Sequence, residues 1–242
     1  KRELGLPEGF HVIAANPPFA GRVDKDRIVD DVKVGTTTAT ELLFINYMMR
    51  SLLEDGRCGV IVPEGVLFGS TGAHKELRRQ LMENNRVEAV MSLPGGVFQP
   101  YSGVKTSVLF FRKGGSTSRV LFLHADHDGF KMDANHDTPI EADDLPALAE
   151  VFKTRDARWD EWQRRTVETS ASAALTEKWW FADAATIRAN DFNLSAGRYR
   201  PMNQTAIAHR NPRELLDELA AIEVEIAEEV EALRVALAEQ AA

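Results

Sequence analysis

Short apolar runs and stretches of helical period take turns along the first 111 residues, and few folds accommodate that order. Phe10-His11-Val12-Ile13-Ala14-Ala15 is bounded by Gly9 and a proline pair, so it reads as a buried strand that ends where the chain must turn. Residues 41–54 set apolar side chains at Leu42, Leu43, Ile45, Met48, Met49 and Leu52, a helical pattern stopped by Asp55-Gly56. A strand over 57–62 ends at Pro63, a helix over 72–84 follows, and strands over 87–93 and 104–111 complete the series. Alternation of this kind demands an α/β fold built on a largely parallel sheet. No helical pattern separates the last two strands, which are expected to form an antiparallel pair at the sheet edge.

In an open α/β sheet, ligands bind beyond the carboxyl ends of the strands. That rule puts Asn16-Pro17-Pro18-Phe19 at the site. Asn16 offers a side-chain carbonyl acceptor. Pro18 pushes Pro17 toward an extended backbone, and the fixed φ of Pro17 aims its carbonyl with little freedom. Two acceptors then converge on one NH₂ group. The exocyclic amine of adenine is a poor nucleophile because its lone pair is conjugated with the ring, and two hydrogen bonds accepted from its protons favour a pyramidal nitrogen that can attack. Phe19 supplies an apolar face for stacking, which a base in a duplex reaches only after being flipped out. Asn and Pro also make ordinary turns. At average residue usage, however, the tetrapeptide arises by chance in roughly one chain in several hundred of this length.

Composition narrows the class. With 242 residues and 44% hydrophobic content, the chain can bury one large or two small domains. The single cysteine, Cys58, excludes an internal disulfide and a thiolate metal cluster, and lies in a predicted strand as a small core residue. No apolar stretch approaches the 18 or so residues of a membrane span and no signal peptide is visible, so a soluble cytoplasmic protein is expected, with no membrane partner. The net charge is −8, but residues 211–242 hold nine acidic and two basic side chains, leaving about −1 for the body. A near-neutral body is less basic than an independent DNA-binding module should be. If the protein works on DNA, another subunit supplies much of the grip.

These residues are similar to a family: the S-adenosylmethionine-dependent amino-methyltransferases that carry Asn-Pro-Pro-Phe as their catalytic motif. The resemblance is closest to the modification (M) subunit of type I restriction-modification systems, an N6-adenine DNA methyltransferase. It extends to Leu67-Phe68-Gly69, to Ser92-Leu93-Pro94-Gly95-Gly96-Val97-Phe98, to Tyr101 through Phe111 and to Asn193 through Tyr199, which is nearly the whole chain. It implies a partial Rossmann-like methyltransferase sheet with a C-terminal helical extension. Asn16, Pro17, Pro18 and Phe19 are then catalytic, and Asn16 also touches the cofactor, S-adenosyl-L-methionine. In the family a Gly-containing cofactor loop precedes the catalytic strand. Only nine residues precede Phe10 here, so a C-terminal fragment, inactive alone, is expected.

The same resemblance favours Phe98, Tyr101, Lys105 and Thr106 as substrate-binding residues of the loop that follows Leu93; read structurally, that loop is a Gly-rich connection with an aromatic plug. Residues 21–40, polar and without periodicity, are either a plain connection or a DNA contact. Beyond Gly114-Gly115 a strand over 120–123 is expected, then a polar stretch over 124–144. His124, Asp126, His127 and Asp128 are common metal-ligand types, but their spacing fits no ligand motif, and no metal is expected. Residues 145–170 suggest a helix carrying Trp159 and Trp162, and Trp179-Trp180-Phe181 opens another packed segment, with these tryptophans read as core.

The tail begins with Asn211 as N-cap, Pro212 at the first helical position and Glu214 completing a capping box. Its stripe, Leu215, Leu219, Ile222, Ile226, Val230, Leu233 and Leu237, repeats about every 3.7 residues, which makes a nearly straight acidic helix that needs a partner. The expected division is therefore residues 1–115 as the C-terminal part of the catalytic domain, 116–205 as a mixed extension and 206–242 as the tail helix. The function implied is site-specific adenine-N6 methylation of DNA, in a complex with a specificity subunit, a second M subunit and a restriction subunit. Two alternatives stay open: methylation of another planar amine, in RNA adenine or a protein glutamine, and a non-catalytic assembly scaffold.

Overall fold

The computed structural model describes residues 8–19, 21–133, 135–168, 178–201 and 226. Strand β1 (Phe10–Ala15) runs parallel to β2 (Leu52–Pro63), with Ile13 opposite Cys58 and Ala15 opposite Val60. Helix α1 (Thr40–Ser51) connects them and buries Leu42, Leu43, Ile45, Met48 and Met49. It ends at Ser51, earlier than the Asp55-Gly56 stop expected from the sequence, and β2 begins at once. Asp55 sits inside β2 at φ +60°, a conformation that Asp tolerates better than most residues. The pairing with β1 shifts register there, between Phe10 and Val12.

Strands β3 (Asn85–Ser92) and β4 (Thr106–Lys113) pair antiparallel, Val90 opposite Leu109. The expectation that they form the sheet edge is wrong. β4 is wedged between β2 and β3 and antiparallel to both. The sheet then continues through β5 (Arg119–His124), parallel to β3, and the last strand of the sheet, Trp179–Asp183, antiparallel to β5. In space the strands run β1-β2-β4-β3-β5 and then Trp179–Asp183. Burial explains why. Val87, Ala89, Val90 and Met91 of β3 and Leu109 and Phe111 of β4 are buried, and an edge strand that apolar would leave a row of unpaired N–H and C=O groups beside it. β1, the terminal strand, is instead mostly exposed.

Several elements escaped the sequence reading. A short helix, α2 (Glu64–Phe68), follows β2 directly and precedes α3 (Gly72–Glu83), whose N-cap Thr71 accepts from the His74 amide. The polar stretch after β5 contains a hairpin, β6 (Asp128–Phe130) with β7 (Pro139–Asp143). The single helix expected over 145–170 is two, α4 (Leu145–Lys153) and α5 (Arg155–Glu168), separated at Thr154. The strand Trp179–Asp183 is numbered β8, and its last residue, Asp183, caps α6 (Ala184–Ala189) by accepting from the Thr186 amide at 2.7 Å.

One core unites these pieces, from Leu42 and Ile45 of α1 through Leu77 and Leu81 of α3 to Leu121, Phe122 and Trp180 beyond residue 115. Trp162 and Trp179 are core residues as expected, clustered with Phe181. Cys58 is buried too, and burial pushes its thiol up to about 12. The largest buried polar side chain is Arg78, 1% exposed. It donates to the carbonyls of Val66 (3.1 Å), Gly69 (2.9 Å), Phe192 (2.9 Å) and Asp191 (3.4 Å), so one guanidinium stitches α2, α3 and residues 191–192 together. Asp191 and Phe192 both take positive φ there. Leu194 N–H donates to Leu67 O at 2.9 Å, and the Tyr199 hydroxyl donates to Asn193 O at 2.6 Å while its ring stacks on Phe122. The segment from Asn193 to Tyr199, whose role chemistry did not reveal, is thus a clasp across the sheet.

The chain divides into two compact units, residues 1–202 and 203–242. The tail helix, its capping box and its apolar stripe lie outside the described residues, Ile226 apart.

Candidate active site

β1, β2, β3 and β5 all point the same way, so Asn16, Glu64, Leu93 and Ala125 follow their carboxyl ends on one rim of the sheet. This is where an open α/β sheet places its ligands. Asn16 leaves β1 directly and its side chain is exposed. Among the described residues nothing hydrogen-bonds its amide, so the acceptor the sequence predicted is available. Pro17 is buried, which fixes the turn, whereas Pro18 is exposed.

Phe19, half-buried, meets Phe98 edge-to-face with ring centroids 5.8 Å apart. Phe98 arrives from the loop that joins β3 to β4. Leu93 N–H donates to Thr106 O (3.1 Å) and closes the base of that loop, Gly96 turns it at φ +89°, and Ser102 N–H donates to Phe98 O (2.9 Å). Phe19 and Phe98 stand 79 positions apart in the sequence, and this loop closes the gap.

The other three predicted binding residues behave differently. Tyr101 is 94% exposed at the loop tip and is not brought to the motif. Lys105 Nζ lies 3.5 Å from Glu64 Oε1, and the Lys105 carbonyl accepts from the Glu64 amide at 3.0 Å. Thr106 is fully buried, with an Oγ1 that has no hydrogen-bond partner. Glu64 is the rim residue the sequence reading missed. It also accepts from Ser92 Oγ at 3.3 Å, so it joins the ends of β2, β3 and β4. The signal was present, a carboxylate next to the proline that stops a strand, but nothing in its spacing marked it.

Farther along the rim, His124, Asp126, His127 and Asp128 separate into pairs. His124 Nε2 lies 3.0 Å from Asp126, and Asp128 bonds His136 at 2.8 Å. Asp144 takes Lys178 Nζ at 2.6 Å and the amides of Asp126 and His127. Burial opposes the charge on Asp144, but Lys178 and the two amides outweigh it and hold the carboxyl below its usual range. Among the described residues no three His, Cys, Asp or Glu side chains converge on one point as metal ligands would.

Among the described residues this rim presents a free Asn16 amide and the edge-to-face pair of Phe19 and Phe98. It is equipped to orient a flat nitrogenous ring. A family model described as N-6 DNA Methylase matches residues 2–207. The methylase subunit of the type I restriction enzyme EcoEI from Escherichia coli is 31% identical over 223 residues, covering 91% of this chain and 42% of the relative. A solved chain of a type I restriction-modification system, studied for complex assembly and conformational transition, superposes with a TM-score of 0.63 at 30% identity, over 95% of this chain and 45% of that one. The M protein of EcoKI shares the fold, with a TM-score of 0.60 at 23% identity over 98% of this chain and 51% of that one. The chain therefore spans about half the length of the relatives it matches, or less. A family match over residues 2–207, together with a mixed α/β sheet of this order, places the chain in the N-6 DNA methylase family.

Proposed function

We propose that the intact protein transfers a methyl group from S-adenosyl-L-methionine to N6 of a flipped adenine in DNA, as the modification subunit of a type I restriction-modification complex. The observation that carries this reading is the unpartnered Asn16 amide at the end of β1 beside the Phe19–Phe98 pair. The Asn16 side-chain carbonyl and the Pro17 backbone carbonyl accept from the two amine protons. Pro18 holds Pro17 in its extended conformation. Phe19 and Phe98 form an aromatic corner against which a flipped base stacks, and their contact also keeps water from the amine. The cofactor supplies the methyl group when bound, and Asn16 is the described residue suited to touch it. Lys105, held by Glu64, is placed to meet a phosphate at the rim.

The near-neutral body fits a subunit that leaves sequence reading and much of the DNA grip to a specificity partner, with the acidic segment 206–242 as the part that meets it. A cytoplasmic setting goes with that role, and among the described residues no helix is long and apolar enough to cross a membrane. The test is incorporation of labelled methyl from S-adenosylmethionine into DNA by the full-length protein with its specificity subunit. Asn16→Ala is expected to abolish N6 labelling while the complex still assembles. Labelling of protein or RNA in place of DNA would overturn the substrate, and undiminished activity in Asn16→Ala would overturn the site.

A further inference from the structure

At the opposite end of the sheet from Asn16, a recess of about 310 Å³ is lined by Arg86, Arg112, Arg119 and Arg155. The register makes this crowding specific. Arg86 stands directly opposite Arg112 across β3 and β4, and Arg57 stands directly opposite Arg112 across β2 and β4. Directly opposed residues share a face of the sheet, and like charges so placed repel. Three arginines in one row across three strands are an arrangement that a bound anion would relieve.

The carboxylates present only partly do so. Glu88 is recessed, 15% exposed, and is shared by Arg155 at 2.8 Å and Arg112 at 3.5 Å. Arg119 pairs with Asp156 at 2.7 Å, and Arg86 pairs with Asp55, but both aspartates are largely in water, where such pairs are weak. The buried Nε of Arg86 has no partner. Four guanidinium groups face the two lining carboxylates, Glu88 and Asp156, and Asp55 answers Arg86 from outside the lining, which leaves an excess of one positive charge. At the rim, Gly114 and Gly115 turn the chain at φ +81° and +78° and present the exposed Ser116.

We infer that this recess is a phosphate-binding site. A phosphate anion answers the excess positive charge, and its oxygens match the planar fork of a guanidinium, which binds them in pairs. The phosphate could belong to a small molecule or to a nucleic-acid backbone, and the two sources are separable. Inorganic phosphate, pyrophosphate and a short DNA oligonucleotide would each be titrated calorimetrically into the full-length protein, the Arg86→Gln/Arg112→Gln variant and Ser116→Glu. The last puts a carboxylate at the mouth on an exposed residue, so it keeps the test alive if the arginine variant fails to fold. Asn16→Ala serves as a control for binding at the other rim.

Both recess variants are expected to weaken binding by about tenfold or more, and Asn16→Ala to leave the binding of inorganic phosphate and pyrophosphate unchanged. Weakening with phosphate or pyrophosphate identifies a free phosphorylated ligand; weakening with the oligonucleotide alone identifies a backbone phosphate. No binding of any probe by the unaltered protein, or equal binding by the unaltered protein and both recess variants, would overturn the site.

Discussion

Phe98 and Tyr101 lie three residues apart on one loop, yet their surroundings differ completely. Phe98 is tucked against Phe19, while Tyr101 stands in water. An edge-to-face pair contributes on the order of 1 kcal/mol beyond its buried area. On the proposed function, Phe98→Ala in the full-length protein is therefore expected to lower kcat/KM for methyl transfer about fivefold. Tyr101→Ala should stay within about twofold, because no contact is lost. Steady-state kinetics on both variants checks the pair, and a larger loss from Tyr101→Ala would mean that the loop tip, not the aromatic corner, meets the substrate. The place of Asn16 at a strand end was legible in the sequence because it depends on adjacent residues alone. Glu64 was not. Its importance comes from Ser92 and Lys105, which reach it only after β2, β3 and β4 are assembled.

Among the elements, α2, α3 and the Asn193 to Tyr199 segment owe their arrangement to Arg78. Its charge is buried, and burial makes it easier to deprotonate than an ordinary arginine, against the opposing pull of Asp191 and Tyr199. Four carbonyls nevertheless satisfy it. Arg78→Met keeps much of the volume and removes the desolvated charge, but leaves those carbonyls without donors, each a cost of about 1–3 kcal/mol. A net loss of about 2–4 kcal/mol is expected, read as a lower urea midpoint with an unchanged denaturant slope. A change within about 0.5 kcal/mol would show that the clasp holds without it. No periodicity reveals this role: Arg78 sits in a helical pattern that the sequence reads correctly, and its acceptors at 191 and 192 lie more than a hundred residues away. The break at Thr154 and the β6–β7 hairpin were hidden for a related reason. Short, exposed elements carry little apolar pattern, and β7 is exposed throughout.

Across the whole molecule, the strands were legible and their spatial order was not. Apolar content tells that a segment is buried but not which neighbour covers its edge, so β4 was assigned to the margin when it lies in the middle. β1 is the terminal strand of the described sheet, and Phe10 and Val12 are exposed along it, Val12 at 58%. An exposed apolar edge templates association with another chain. The 242-residue chain is expected to self-associate as its concentration rises, and Val12→Lys to reduce the weight-average mass seen by light scattering. Equal mass for both chains at every concentration would place the association elsewhere.

The wedged position of β4 also sets a timetable. During synthesis β2 and β3 emerge first, and neither can complete its pairing, because the strand that must lie between them is still being made. A direct β2–β3 pairing would be a dead end that has to be undone. The sheet closes only when residues 106–113 slide into the gap and bond on both sides at once. Until then two apolar strand edges stay open, which is the species a chaperone would hold and a protease would cut. A nascent chain whose emerged part ends between residues 92 and 106 carries that open form, and extending the emerged part past residue 113 should convert a protease-sensitive chain into a resistant one.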